Sequence, residues 1–133
     1  QGEAVRHRKA LGIEQVKMLY KVNPEADSYL VQRDIQVVAK SIMFGGFADG
    51  LCVSGSAAGS EPDDVILDKV YVVARKRQVP VFCNTGCNAK NIQDKLSRSD
   101  GACVGSAFKK DGNVRGRVDV ERVREFMAMA HKA

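Results

Sequence analysis

One phrase occurs twice in this chain and limits its folds more than anything else in it. Ala48-Asp49-Gly50-Leu51-Cys52-Val53-Ser54-Gly55-Ser56-Ala57 returns as Ser99-Asp100-Gly101-Ala102-Cys103-Val104-Gly105-Ser106-Ala107. Each copy reads as a turn, a short apolar strand and a Gly-Ser loop, and a helical pattern follows each. A repeat of about fifty residues in which a buried strand runs into a glycine loop indicates duplicated βα units. Glycine at the carboxyl end of a strand lets backbone N–H groups approach an anion closely. The phrase therefore predicts both an architecture and a ligand chemistry.

The 133 residues suffice for one domain with a real core, taken here as residues 1–133. Hydrophobic residues make up 44% and charged residues 28%, as in ordinary folded proteins. No apolar run reaches the roughly 20 residues that span a bilayer, so no integral membrane segment is expected. The net charge of +5 is mild, and Arg6-His7-Arg8-Lys9, Arg75-Lys76-Arg77 and Lys109-Lys110 read as solvated helix faces and ends. Aromatic residues are only 6% and no stacking motif accompanies the basic clusters, so no nucleic-acid partner is expected. Of the four cysteines, Cys52, Cys83 and Cys103 fall in apolar strand readings, where free cysteine packs as a small side chain. Cys83 and Cys87 have a C-x3-C spacing that zinc could use, but no second pair exists, so buried thiols are the expectation, with no metal and no cofactor. With no disulfide scaffold, a reducing cytoplasm or organelle matrix fits. The chain opens on Gln1 with residues already helical in pattern, which suggests a piece of a longer protein whose targeting segment could have been lost.

Glu3 to Leu11 read as a helix end stopped by Gly12. Val16 to Val22 read as a strand closed by Asn23-Pro24. From Val31, helical spacing joins Ile35, Val38, Ala39, Ile42 and Met43, with Gly45-Gly46 as the stop. Leu51-Cys52-Val53 is the next strand, and Asp63 or Asp64 caps a helix whose inner face is Ile66, Leu67, Val70, Val73 and Ala74. Val81-Phe82-Cys83 is a third strand, and Asn88 can cap a short helix through Leu96. Ala102-Cys103-Val104 is a fourth strand, followed by a helix capped by Asp119, with Val120, Val123, Met127 and Ala130 inward. Four consecutive βα units with short, uniformly apolar strands fit parallel pairing. They could form an open doubly wound sheet or half of an eight-stranded barrel, and periodicity alone does not separate the two.

The loops separate them. The stretch from Ala48 to Gly55 with Gly59, Glu61 and Pro62 resembles the BtpA family. So do Val79-Pro80-Val81-Phe82-Cys83-Asn84-Thr85-Gly86 with Asn91-Ile92, the stretch Asp100 to Gly112, and the ending Val118-Asp119-Val120-Glu121-Arg122-Val123. That family takes its name from a photosystem I biogenesis protein, and other members look like sugar-operon proteins. It resembles the ribulose-phosphate-binding (β/α)8 barrels. The resemblance implies an α/β half-barrel, with these four parallel units as strands five to eight of a TIM barrel. It also implies a missing half, because open sheet edges are sticky unless covered. A further barrel half or a second copy is the expected partner.

Ligands of such barrels sit at the carboxyl ends of the strands, and phosphate is held after strands seven and eight. Here those loops carry Thr85-Gly86 and Gly105-Ser106, whose backbone N–H groups and two hydroxyls could bind a small phosphorylated ligand. Ser54-Gly55, after strand six, could touch the rest of that ligand. Strand five ends in Tyr20-Lys21-Val22-Asn23-Pro24, where family members look like Asp-Val-His-x-Lys-His. Lys21 stands at the acid and Asn23 at a histidine, which removes a plausible acid/base pair. Lys21 could act as a Schiff-base amine if desolvated, but the sequence names no partner for it. Asp49 and Asp100 precede their strands and belong to the opposite rim, which serves stability. The sequence leaves open whether this is a phosphometabolite-binding half-barrel, an assembly protein, or a sugar-phosphate isomerase or lyase completed by another half.

Overall fold

The computed structural model describes residues 1–25 and 30–132. Helix α1 (Gly2–Ala10) leads into β1 (Leu19–Asn23), α2 (Ile35–Gly46), β2 (Gly50–Val53), α3 (Asp64–Arg75), β3 (Val81–Cys83), α4 (Ile92–Ser97), β4 (Gly101–Ala102) and α5 (Val120–Ala130). Two 3₁₀ turns, Ser106–Phe108 and Lys110–Gly112, lie between β4 and α5. The four strands form one sheet in sequence order, every pair parallel. Lys21, Cys52, Phe82 and Gly101 stand level across it.

The helices cover one face. Tyr20, Val22, Leu51, Val53 and Val81 pack with Ala39, Ile42 and Met43 of α2 and Leu67, Val70, Val73 and Ala74 of α3. Cys83, Cys87, Ile92 and Phe126 continue that layer toward α5. Because strand side chains alternate, the other face carries Leu19, Lys21, Gly50, Cys52, Phe82, Gly101 and Cys103. Leu19 on that face is 46% exposed. Helices on one face only, outside strands in sequence order, are the arrangement of a half-barrel and not of a doubly wound sheet.

The first half of the repeated phrase is explained by this sheet. Asp49 donates its N–H to the Met18 carbonyl at 3.0 Å and takes the Met18 N–H on its carboxylate at 2.9 Å. Asp100 does the same with Val81, at 2.8 Å in both directions. Each Asp thus pins the start of the preceding strand. The glycine that follows is required by packing: a Cβ on Gly50 would lie 2.6 Å from Leu19 Cδ2 and 2.9 Å from the Phe82 ring. A Cβ on Gly101 would meet the same ring at 2.9 Å.

Several expected boundaries moved. Strand β1 starts at Leu19, not Val16, because Val16 N–H closes a turn onto the Ile13 carbonyl. Helix α2 starts at Ile35, where the Asp34 carboxylate accepts the Gln36 and Val37 N–H groups, so Val31 lies outside it. It runs through Gly46 and ends on Phe47 in the left-handed conformation, φ 46°. Of the two candidate caps of α3, Asp63 takes the Ile66 N–H. Asn88 caps only a turn, accepting the Lys90 N–H, and α4 begins later, at Ile92. Strand β4 is Gly101–Ala102, and Cys103 beyond it is exposed. In α5, Val120 and Met127 face solvent, while Phe126 is the buried residue, edge-to-face with Phe108 at 5.0 Å. That helix packs on α4 and the turn 106–108 through Phe126, with Met129 and Ala130 beside it, so its inner face is only partly the expected one.

Candidate functional site

Three loops leave the carboxyl ends of β2, β3 and β4, and the first two are tied to each other. Thr85 Oγ1 accepts the Gly55 N–H at 2.7 Å and donates to the Ser60 carbonyl at 2.7 Å. The loop from Ser54 to Pro62 is thereby laid against the Asn84–Gly86 turn. This contact explains two glycines. A Cβ on Gly55 would stand 2.2 Å from Ser60 O, and one on Gly86 (φ +70°) would stand 2.5 Å from Glu61 N. Lys95 of α4, only 3% exposed, clamps the same loop: its Nζ lies 2.6 Å from Asp64 Oδ1 and 3.4 Å from Glu61 Oε2. Burial works against the Lys95 ammonium, but Asp64 and then Glu61 outweigh it and hold its pKa above the ordinary lysine value.

Between these loops lies a cavity of about 570 Å³ whose lining includes Asn84, Thr85, Gly86, Cys103, Gly105 and Ser106. All four residues expected to hold phosphate therefore line one space. Among the described residues, none of the N–H groups of Gly86, Gly105 or Ser106 donates to another residue. The Gly86 carbonyl is fixed by Asn88 Nδ2 at 3.2 Å and Asn91 Nδ2 at 3.0 Å. A Cβ on Gly105 would meet nothing within 4 Å. One expected contribution changes: the Thr85 hydroxyl gives its proton to Ser60, so it orders the loop instead of adding a donor.

Ser54, Gly55 and Lys21 do not line this cavity. Ser54 is buried beside it, its Oγ accepting Asn84 Nδ2 at 2.8 Å. Asn23 holds the Ser54 peptide from both sides, donating to its carbonyl at 2.7 Å and accepting its N–H at 2.9 Å. Lys21 has a partner that the sequence reading missed: Nζ lies 3.0 and 3.1 Å from the two Glu25 carboxylate oxygens. The signal was present in the quoted family pattern, where an acid and a lysine also stand four residues apart. Lys95 was missed because its spacing in a short, charged helix carries no mark of burial.

The thiols divide. Cys83 and Cys87 are buried with their sulfurs 2.9 Å apart, inside the second core cluster. The hydrogen bond Cys87 shares with Cys83, then burial, push the Cys87 thiol up and keep it protonated. Burial, then the neighbouring Cys103, push Cys52 up to about 11. Asp49 is held below its ordinary carboxyl value by the Met18 N–H and then the Arg8 guanidinium, 2.6 Å away on the opposite rim.

The fold and the loops have counterparts in known proteins. The chain is similar to the solved N-(5'-phosphoribosyl)anthranilate isomerase of Pyrococcus furiosus, a TIM barrel, with a TM-score of 0.59 and 21% identity. The match covers 97% of this chain and 56% of that one. In sequence it is 41% identical to the sgc region protein SgcQ of Escherichia coli, over 98% of this chain and 48% of that protein. It is 30% identical to an uncharacterised mitochondrial protein of Caenorhabditis elegans, over 95% of this chain and 44% of that one. The photosystem I biogenesis protein BtpA of Synechocystis is 35% identical over 64% of this chain. The chain spans about half the length of the first two relatives. No helix among the described residues is long and apolar enough to cross a membrane. The BtpA family matches residues 1–132, and the chain belongs to that family, as a four-stranded half of its barrel.

Proposed function

We propose that this half-barrel binds a small phosphorylated metabolite, with the phosphate in the cavity between the last two βα loops. One observation carries the reading: Gly86, Gly105 and Ser106 line a single cavity at the strands' carboxyl ends, their N–H groups without protein acceptors among the described residues. Backbone amides without protein acceptors beside a cavity suit an anion. The Ser106 hydroxyl adds a neutral donor, and Thr85, Asn88 and Asn91 hold the loop in shape. The outer edges of β1 and β4 pair with no strand among the described residues, so a second barrel half, in another copy or another segment, would enclose the ligand.

Titration with inorganic phosphate, followed by amide NMR, tests the site. The Gly86, Gly105 and Ser106 resonances should move together. Ser106→Ala should weaken binding by about 0.5–1.5 kcal/mol, the worth of one neutral hydrogen bond. Gly105→Val, whose branched side chain would occupy the approach to the amides, should abolish it. Equal affinity in wild type and Gly105→Val would place the anion elsewhere.

A further inference from the structure

The cavity borders a pair of thiols that the anion reading leaves unused. Cys83 ends β3, and Cys87 follows the turn Asn84-Thr85-Gly86. Their sulfurs are 2.9 Å apart, with Cys87 donating to Cys83. A disulfide holds its sulfurs about 2.05 Å apart, so the bond requires an approach of only about 0.9 Å. Both residues are buried, but Cys87 belongs to the cavity wall. The pair is therefore screened from bulk solvent and not from a small solute in the cavity.

The surroundings decide what two such thiols can do. A structural zinc takes four ligands. Among the described residues, no three His, Cys, Asp or Glu side chains are grouped so as to hold a metal, so the pair is not part of a metal site. Oxidation needs a thiolate. The hydrogen bond from Cys87 outweighs burial and holds the Cys83 thiol below its ordinary value.

The bond would close a ring over residues 83–87, and Gly86 lies inside that ring. Cys83 Sγ already lies 3.7 Å from the Thr85 carbonyl oxygen. The turn has little slack. Asn88 and Asn91 hold the Gly86 carbonyl, and a Cβ on Gly86 would stand 2.5 Å from Glu61 N. Drawing the two sulfurs together therefore displaces the turn at Gly86.

The geometry points to a reversible disulfide site, in which a peroxide entering the cavity joins Cys83 to Cys87 and resets the turn that carries Gly86. One thiol takes an oxygen from the peroxide, becoming a sulfenic acid as the O–O bond breaks and a first water leaves. The other sulfur attacks it, the S–S bond forms and the S–O bond breaks. The hydroxyl leaves with the second thiol's proton as another water. The two thiols lose two electrons and the peroxide gains them. The inference goes beyond the phosphate reading and does not rest on it.

The test treats the folded, reduced chain with hydrogen peroxide, blocks the remaining thiols, digests with trypsin and weighs the peptides. Cleavage after Arg77 and Lys90 places Cys83 and Cys87 together in one peptide, apart from Cys52 and Cys103. That peptide should be unblocked and two hydrogens lighter, and dithiothreitol should restore both thiols. In Cys83→Ala, Cys87 has no partner and should instead be trapped as a sulfenic acid by dimedone. The Gly86 amide resonance of wild type should move on oxidation and return on reduction. If the peptide keeps both thiols after exposed Cys103 has been oxidised, the proposal is overturned. If the bond forms and Gly86 does not move, its coupling to the turn is overturned. Neither readout uses phosphate, so a failure of the phosphate reading leaves both unchanged.

Discussion

The two copies of the repeated phrase are alike at their amino ends and different at their carboxyl ends. Asp49 and Asp100 make the same reciprocal pair of hydrogen bonds to the start of the preceding strand. Gly50 and Gly101 both leave room for the Phe82 ring. Beyond the strands the likeness ends. Gly55 is wedged against the Ser60 carbonyl, whereas Gly105 borders an open cavity. Cys52 is buried, and Cys103 is exposed. The shared half builds the sheet and the divergent half shapes the rim at the strands' carboxyl ends. This is the division between stability and chemistry seen at the two ends of such barrels.

The largest test of this contrast substitutes the paired glycines. Gly55→Ala forces a Cβ to within 2.2 Å of a backbone oxygen, so the Ser54–Pro62 loop must move. We expect a loss of about 3 kcal/mol in urea unfolding. Gly105→Ala adds a methyl to open space and should stay within about 0.5 kcal/mol. Equal losses at the two sites would erase the distinction between a packed loop and a free one.

The amino-end likeness is tested by Asp49→Ala and Asp100→Ala. Each leaves a strand-starting N–H without its carboxylate, at a cost of about 1–3 kcal/mol. Asp49 also makes a pH prediction. Its carboxyl lies below the ordinary value of 3.8 in the folded chain, so its contribution is complete above that pH and is lost as pH falls through the lower, folded value. The stability difference between wild type and Asp49→Ala should be flat near neutrality and shrink in acid below 3.8. A difference that grows in acid would mean that the Met18 and Arg8 contacts do not form.

The smallest effect is expected at the cysteines. Cys103→Ser should change stability by no more than about 0.5 kcal/mol, and Cys103 should be the first thiol labelled by a maleimide in the folded chain. Cys52, buried with its thiol pushed up to about 11, should react only when the chain opens. Labelling of Cys52 at the rate of Cys103 would show that the barrel-facing side of β2 is not packed as described.

Much of the fold was legible because its signals are local. Strand apolarity, the Asp63 and Asp119 caps and the helical spacing on α2 and α3 need no partner to be read. The misses share a cause. Val16, Val120 and Met127 have the right residue type for burial but stay exposed, and Cys103 lies where β4 has already ended. Of the site, the glycine loops could be located from their place after β3 and β4. That Thr85 serves Ser60 could not be seen in the spacing, and Glu25 was passed over although the family pattern carries an acid and a lysine four residues apart.

The sequence by itself determined the repeat, the parallel βα order and the rim on which the glycine loops lie. Hydrophobic period and cap chemistry act over a few residues, and the family's loop residues stand at the strand ends. Only the tertiary structure decided which glycines are open and which are wedged, which thiols are covered, and which charges meet. Several of those outcomes depend on contacts between segments far apart in the chain, such as Gly55 with Thr85 and Lys95 with Asp64. A residue's own neighbours in the chain carry no record of what will pack against it.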